Sequence, residues 1–341
     1  MWKVTHMRGV RAASFGILSA LVSVSLIAAH PTDAGALVTG WSGPYVTGLP
    51  SVNTQNSLFC LSRTSCVADS YYSAGADGSQ ISAYDGAGWA VTYTNTAYRC
   101  GGCIGPVMSS LQCLSAALCH ALDNQGDFLT YDGVHWTASF VNSDLYWGAL
   151  SCPTASFCMA GDAFGNAWSY NGTSWSGPTF ISASVQPVSN SGSFPDAINQ
   201  VSCPSASFCY AVDSSGYTIR FNGTRWGSPL KVASSNSGPI SCPSRNFCAA
   251  SDTTGDVMMY NGSSWTETNI DGNSYIPSLS CPTRSFCVAG DADGNIFFFN
   301  GVAWSSPAVL APGNTIASIS CPSARFCVAG DSSGGVFFYK D

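Results

Sequence analysis

Ser280-Cys281-Pro282-Thr283-Arg284-Ser285-Phe286-Cys287-Val288-Ala289-Gly290-Asp291-Ala292-Asp293-Gly294-Asn295-Ile296-Phe297-Phe298-Phe299-Asn300-Gly301-Val302-Ala303-Trp304 reads as most of one structural unit. An apolar strand ends at Ser280-Cys281-Pro282, and a second begins at Phe286-Cys287. Asp291 to Gly294 carries turn chemistry, Asn295 to Phe299 is a third strand, and Asn300-Gly301 is a hairpin signal. Trp304 then opens a fourth strand. The same order recurs along the chain, so the pattern is a repeat.

Fourteen of the sixteen cysteines form pairs with five residues between partners: Cys60/Cys66, Cys113/Cys119, Cys152/Cys158, Cys203/Cys209, Cys242/Cys248, Cys281/Cys287 and Cys321/Cys327. Their first members are 53, 39, 51, 39, 39 and 40 residues apart, a spacing in the range of propeller blades. Asp123, Asp162, Asp213, Asp252, Asp291 and Asp331 each have Gly three residues later. An aromatic follows five residues beyond each Gly, and in all but the last of these units Trp follows five further on (Trp136, Trp175, Trp226, Trp265, Trp304). The first unit keeps Tyr84 and Trp89 after a longer turn. Four short strands repeated seven times predict an all-β, seven-bladed propeller over residues 37–341. The last unit stops after its third strand, while Trp41-Ser42-Gly43-Pro44 matches Trp175-Ser176-Gly177-Pro178. The N-terminal strand is therefore expected to complete the last blade and remove a pair of free sheet edges.

Units of the form S-C-P-x-x-x-F-C-x-A-x-D-x-x-G, followed by aromatic-N-G-x-x-W, resemble those of secreted bacterial β-propeller repeat proteins. The likeness to kelch and sialidase Asp-box blades is looser, because the Asp-box places Trp soon after Gly. The resemblance implies architecture and leaves function open, since propellers host binding, scaffolding and catalysis alike.

Composition narrows the classes. Twelve Lys and Arg stand against nineteen acids, charged residues make up 9% of the chain, and Glu267 is the only glutamate. A helical bundle lacks its usual surface residues in such a chain, and nucleic-acid binding lacks its clustered cations. Lys3, Arg8 and Arg11 precede an apolar run from Ala12 to Ala29, and Ala34-Gly35-Ala36 fits a cleavage pattern. Residues 1–36 are read as a signal peptide. The mature chain carries nine cations and eighteen acids, net −9. Even-numbered, regularly spaced cysteines agree with an oxidising, extracellular compartment, and no membrane association is expected after cleavage.

Each C-x5-C pair is expected to staple the hairpin between a blade's first two strands. Cys100-Gly101-Gly102-Cys103 is a C-x-x-C in an extra loop, expected to tether that loop, with a redox pair as the alternative. The repeated Asp is expected to cap N–H groups of its own turn; calcium is the alternative, and Asp291-Ala292-Asp293-Gly294 alone offers a second carboxylate. His120 falls on a packing column and His135 on an exposed turn. No catalytic constellation, metal site or cofactor site is expected.

Insertions at 70–78, 94–106 and 180–198 fall in turns between second and third strands or between blades, which share one face of a propeller. Off-template loops on a rigid scaffold are where ligand contacts accumulate. Tyr71, Tyr72, Arg99, Asp144, Tyr146, Trp147, Asp271 and Tyr275 are the ligand-binding candidates, with Tyr98, Phe194 and Asp196 nearby in sequence. The expected role is a secreted, monomeric binding or scaffold propeller that engages extracellular glycan or protein through this face. A carbohydrate-active hydrolase or lyase using Asp144 or Asp271 is the alternative, and a structural surface protein the second.

Overall fold

A computed structural model describes residues 39–46, 57–72, 78–96, 105–142, 147–183 and 197–341. The signal-peptide segment 1–36, Cys100 and Cys103 lie outside the described residues. Seven four-stranded antiparallel sheets form the blades of a propeller ring, numbered here by their cysteine pairs. In blades 1 to 6 the strands follow chain order from the channel outward. Blade 7 has Ile316–Ser323 innermost, then Phe326–Asp331 and Gly335–Lys340, and the N-terminal strand Trp41–Val46 outermost. Closure by the N-terminal strand is thus as the sequence predicts. Trp41 pairs with Tyr339 as Trp175 pairs with Tyr170, with ring centroids 5.6 and 5.3 Å apart.

Burial follows strand position. Second strands such as Phe208–Asp213 are buried along their whole length, whereas outer strands such as Trp265–Asn269 are exposed beyond their tryptophan. The core is divided into seven clusters, each formed by residues of two adjacent blades: Cys281, Cys287 and Phe297 of blade 6 pack with Phe247 and Val257 of blade 5. Face-to-face packing of this kind leaves few positions for charge, which accounts for the composition. Small residues set the blade spacing. A Cβ on Gly290 would lie 2.4 Å from the Ile316 side chain of blade 7.

The C-x5-C pairs are disulfides, as the spacing predicts: Cys60–Cys66, Cys113–Cys119, Cys152–Cys158, Cys203–Cys209, Cys242–Cys248, Cys281–Cys287 and Cys321–Cys327. Each joins the inner and second strands of one blade. The second-strand partners Cys66, Cys119, Cys158, Cys209, Cys248, Cys287 and Cys327 are all fully or almost fully buried. They are staples within the core and line neither the channel nor the cavity at its mouth. A closed loop this short is worth about 2 kcal/mol by chain entropy.

The residue before the first cysteine has a separate task. Ser151, Ser202, Ser241, Ser280 and Ser320 each accept, through Oγ, the backbone N–H of the first cysteine in the next blade at 2.8–3.0 Å. Gln112 Oε1 does the same for Cys152 N–H at 2.6 Å. Phe59 occupies this column in blade 1 and has no side-chain acceptor for Cys113. A polar belt therefore links every pair of adjacent blades except 1 and 2.

Two blades depart from the expected fourth strand. Trp226 and Trp304 make only isolated bridges, to Phe221 and Phe299, and the outer strands shrink to Leu230–Lys231 and Ala308–Val309. Pro229 and Pro307 stand three residues after these tryptophans, but so do Pro44 and Pro178 in the six-residue outer strands of blades 7 and 3, so proline alone does not shorten the strand.

Candidate functional site

Cysteine hairpins and Asn-Gly turns emerge at one end of the antiparallel blades, and Asp-Gly turns and blade connections at the other. On the second face the Asp column works as the sequence predicts. Asp162 Oδ1 accepts the N–H groups of Phe164 and Asn166, both at 2.9 Å, and Asp213, Asp252, Asp291 and Asp331 repeat the arrangement. Gly294 closes its turn with φ +91°, where a Cβ would fall 1.9 Å from the Ala311 carbonyl oxygen. These aspartates are buried, so turn-building consumes them. Blade 1 uses Asp69, one position earlier relative to its cysteine, to accept Ser57 N–H.

Within this face the inner strands open into a cavity of 470 Å³. Ser109, Asn199, Gln200, Gly238 and Tyr275 are among its lining residues, so blades 2 and 4 and the 5–6 connection all contribute. It leads to the central channel, 280 Å³, lined by inner-strand residues of all seven blades, with serine hydroxyls alternating with aliphatic side chains and Phe59 among them. Tyr275 is 39% exposed, and burial of the rest of its ring raises the phenol pKa. Its backbone is fixed, because its carbonyl accepts Ala292 N–H at 2.9 Å.

Asp271 lies four residues before Tyr275 on the same connection but does not line the cavity. Burial, a hydrogen bond to the Asp291 carboxylate, and the charges of Asp291 and Asp293 push its pKa up to about 7. Asp291 is fully buried and already accepts Asn295 Nδ2–H at 2.6 Å. Ser274 Oγ–H donates to Asp293 at 2.8 Å, so the connection is tied to the neighbouring turn twice. Tyr71 and Tyr72 end the second strand of blade 1, paired with Ser79 and Gly78, and Tyr71 is half-buried. They extend a strand where the sequence reading has a loop. Trp147 begins the inner strand of blade 3. Arg99, Asp144 and Tyr146 lie outside the described residues. Of Tyr71, Asp271 and Tyr275, the candidates whose side chains are described, Tyr275 lines the cavity.

Sequence reading missed Asn199 and Gln200. Their columns hold Gly148 and Ala149 in blade 3, Gly238 and Pro239 in blade 5, and Ala317 and Ser318 in blade 7. Gln200 is the signal, since its column holds Ser, Ala or Pro in every other blade, whereas the column of Asn199 also holds Asn56 in blade 1.

His120 packs as expected. Its ring stacks on Phe128 at 4.9 Å, Nδ1 lies 3.2 Å from Thr130 Oγ1, and burial lowers its pKa to about 4. The nearby sulfurs of Cys152 and Cys158 are joined to each other, leaving no thiolate to ligate a metal. Asp252, Asp256 and Glu267 bring carboxylate oxygens within 4.8 Å of one another. Asp252 is occupied by its turn N–H groups and by Ser235 and Thr254 hydroxyls.

No protein-family model matches the chain, and no curated protein sequence does. Solved structures share the fold. A structure described as YCF48 bound to D1 peptide superposes with TM-score 0.65 at 11% identity, covering 89% of this chain and 98% of its own. YCF48 from Cyanidioschyzon merolae gives 0.63 at 12% identity, with coverage of 88% and 98%. The computationally designed Ika8 protein gives 0.58 at 13%, with coverage of 88% and 100%. Identities this low establish the propeller architecture and nothing finer.

Proposed function

We propose that this chain is a secreted, monomeric binding propeller, released after Ala36, that holds a segment of an extracellular protein at the channel mouth. The cavity beside Tyr275, Asn199 and Gln200 carries this reading. A carboxamide offers both donor and acceptor, the combination needed to pair with a peptide group, and a half-exposed tyrosine supplies apolar area with a polar tip. A cavity of 470 Å³ is of the size that encloses a few side chains. The disulfides agree with an oxidising compartment, and no helix among the described residues is long and apolar enough to cross a membrane. One propeller of similar fold is described as bound to a peptide.

Hydrolysis finds less support. Paired catalytic carboxyls stand at least about 5 Å apart and face the substrate. Asp271 instead lies against the carboxylate of Asp291, which has no exposed surface. Affinity capture from the extracellular proteins of the native host, with Tyr275→Ala and Gln200→Ala beside the wild type, tests the proposal, and a glycan array run in parallel tests the saccharide alternative. A captured protein lost at least tenfold by both variants supports the reading. Equal capture by all three, or binding to the array alone, overturns it.

A further inference from the structure

The outer rim carries two matching grooves remote from the channel mouth. One, of 540 Å³, lies between blades 3 and 4, where Phe157, Ser169, Thr179 and Phe180 meet Arg225 and Trp226. The other, of 660 Å³, lies between blades 5 and 6, where Thr266, Thr268 and Asn269 meet Arg284, Trp304 and Ser305. Both arise from one cause. In blades 4 and 6 the outer strand is only two residues long, and a trough opens against the preceding blade.

The two troughs share a chemistry. Each presents an exposed Arg, a half-buried Trp and a row of hydroxyl or amide side chains, and neither is lined by an acid. In a chain with nineteen acids and twelve cations, two such troughs run against the overall charge. Glu267 sits between Thr266 and Thr268 in sequence, but strand alternation turns it to the opposite side, beside Asp252 and Asp256. Guanidinium forks bind carboxylates in a fixed plane. Aromatic faces take the C–H face of a pyranose ring, and the hydroxyl and amide row matches sugar hydroxyls.

We propose that these grooves are paired binding sites for an acidic saccharide, with the sugar carboxylate on Arg225 or Arg284 and the sugar ring against Trp226 or Trp304. An acidic peptide would satisfy the arginines but offers no pyranose face to the tryptophans. Each site is separate from the channel mouth, so the chain would hold a polyuronide at its rim while its connection face stays open.

Calorimetric titration of the oxidised, secreted chain with trigalacturonate, maltotriose and triglutamate tests the proposal. Two equivalents of trigalacturonate are expected per chain. Arg225→Glu and Arg284→Glu should each leave one, and the double variant none. Maltotriose and triglutamate should bind at least tenfold more weakly. Arg225→Gln and Arg284→Gln serve if a charge reversal lowers the thermal midpoint, and should weaken their own site at least fivefold. One equivalent, two equivalents indifferent to the arginines, no trigalacturonate binding, or triglutamate binding as tightly as the saccharide overturns the proposal.

Discussion

The outer strands of blades 3 and 7 begin with the same four residues, Trp-Ser-Gly-Pro, and make the same pairing, yet they are held by different means. In blade 3, Trp175–Phe180 follows its partner strand through the turn Asn171 to Ser174, whose Asn171 Oδ1 caps Thr173 and Ser174 N–H at 3.0 and 2.9 Å. In blade 7, Trp41–Val46 reaches its partner from the far end of the chain: Ser42 Oγ–H donates to the Phe338 carbonyl across 296 residues. The tethered strand is largely exposed, with Trp175 half-buried. The untethered one has Trp41 at 5% exposure, packed against Leu310 and Phe337 at the blade 6–7 seam. Packing takes over where the covalent turn is missing. Chain connections cross every seam between blades, so the pairing inside blade 7 is the one place where the ring is closed by noncovalent contacts alone.

Truncating the two tryptophans tests this contrast most severely. Trp41→Ala should destabilise by about 4 kcal/mol, in the range of large-to-small core changes, and Trp175→Ala by about 1–2, as its ring is only partly buried. Urea unfolding followed by tryptophan fluorescence measures both, and equal losses would break the comparison. Supplying the missing turn should act in the opposite direction. A backbone-cyclised chain, with Lys340 joined through an Asn-Gly turn to the strand beginning at Trp41, closes the ring covalently. It should gain roughly 3 kcal/mol from loop-closure entropy, seen as a higher urea midpoint. No gain would mean that the closing strand is already fully held.

The polar belt sharpens the contrast at the neighbouring seam. Ser320 Oγ takes Cys60 N–H between blades 7 and 1, whereas the seam between blades 1 and 2 has Phe59 and relies on Ile81, Met108 and Leu111, with Trp136 Nε1–H on Thr92 Oγ1 at 3.3 Å. Ser320→Ala should cost about 1–2 kcal/mol by leaving a buried donor unpaired, and should raise amide exchange at Cys60. Protection at Cys113 should not change. A uniform rise at both seams would show that the belt does not act locally.

Asp271 gives the smallest expected effect. Its folded pKa is raised to about 7 from an unfolded value near 4, so the folded state holds the proton more tightly. Its contribution is full below about pH 4 and is lost as pH rises through about 7. Asp271→Asn should remove that decline. His120, with its pKa lowered to about 4, acts oppositely and destabilises as pH falls from its unfolded value. Thermal midpoints from pH 4 to 8 should therefore rise with pH more steeply in Asp271→Asn than in the wild type. Parallel profiles would remove the carboxyl pair as a titrating element.

Features written at fixed sequence offsets were legible. Asp162 and Gly165, Asn171 and Gly172, and Cys152 and Cys158 work within a few residues of one another, so spacing alone exposes their roles. Serine in the S-C-P motif was visible as a column, but its task was not, because its partner is an N–H about forty residues away in the next blade. The candidate site was only partly legible. Tyr275 was found because it lies off the template, whereas Asn199 and Gln200 sit inside a regular strand, where the size of Gln200 is the only anomaly.

From sequence alone came the number of blades, the staples, the Asp turns and the strand that closes the ring, because local turn chemistry and covalent spacing repeat at every unit. Tertiary structure decided what the ring brings together. Tyr275 meets Gln200 across a cavity, Asp271 meets Asp291, and Trp226 meets Phe180 along a trough. Those meetings depend on how twisted sheets pack side by side and which outer strands are cut short. No repeat period records them, since the residues involved are the ones that differ from blade to blade.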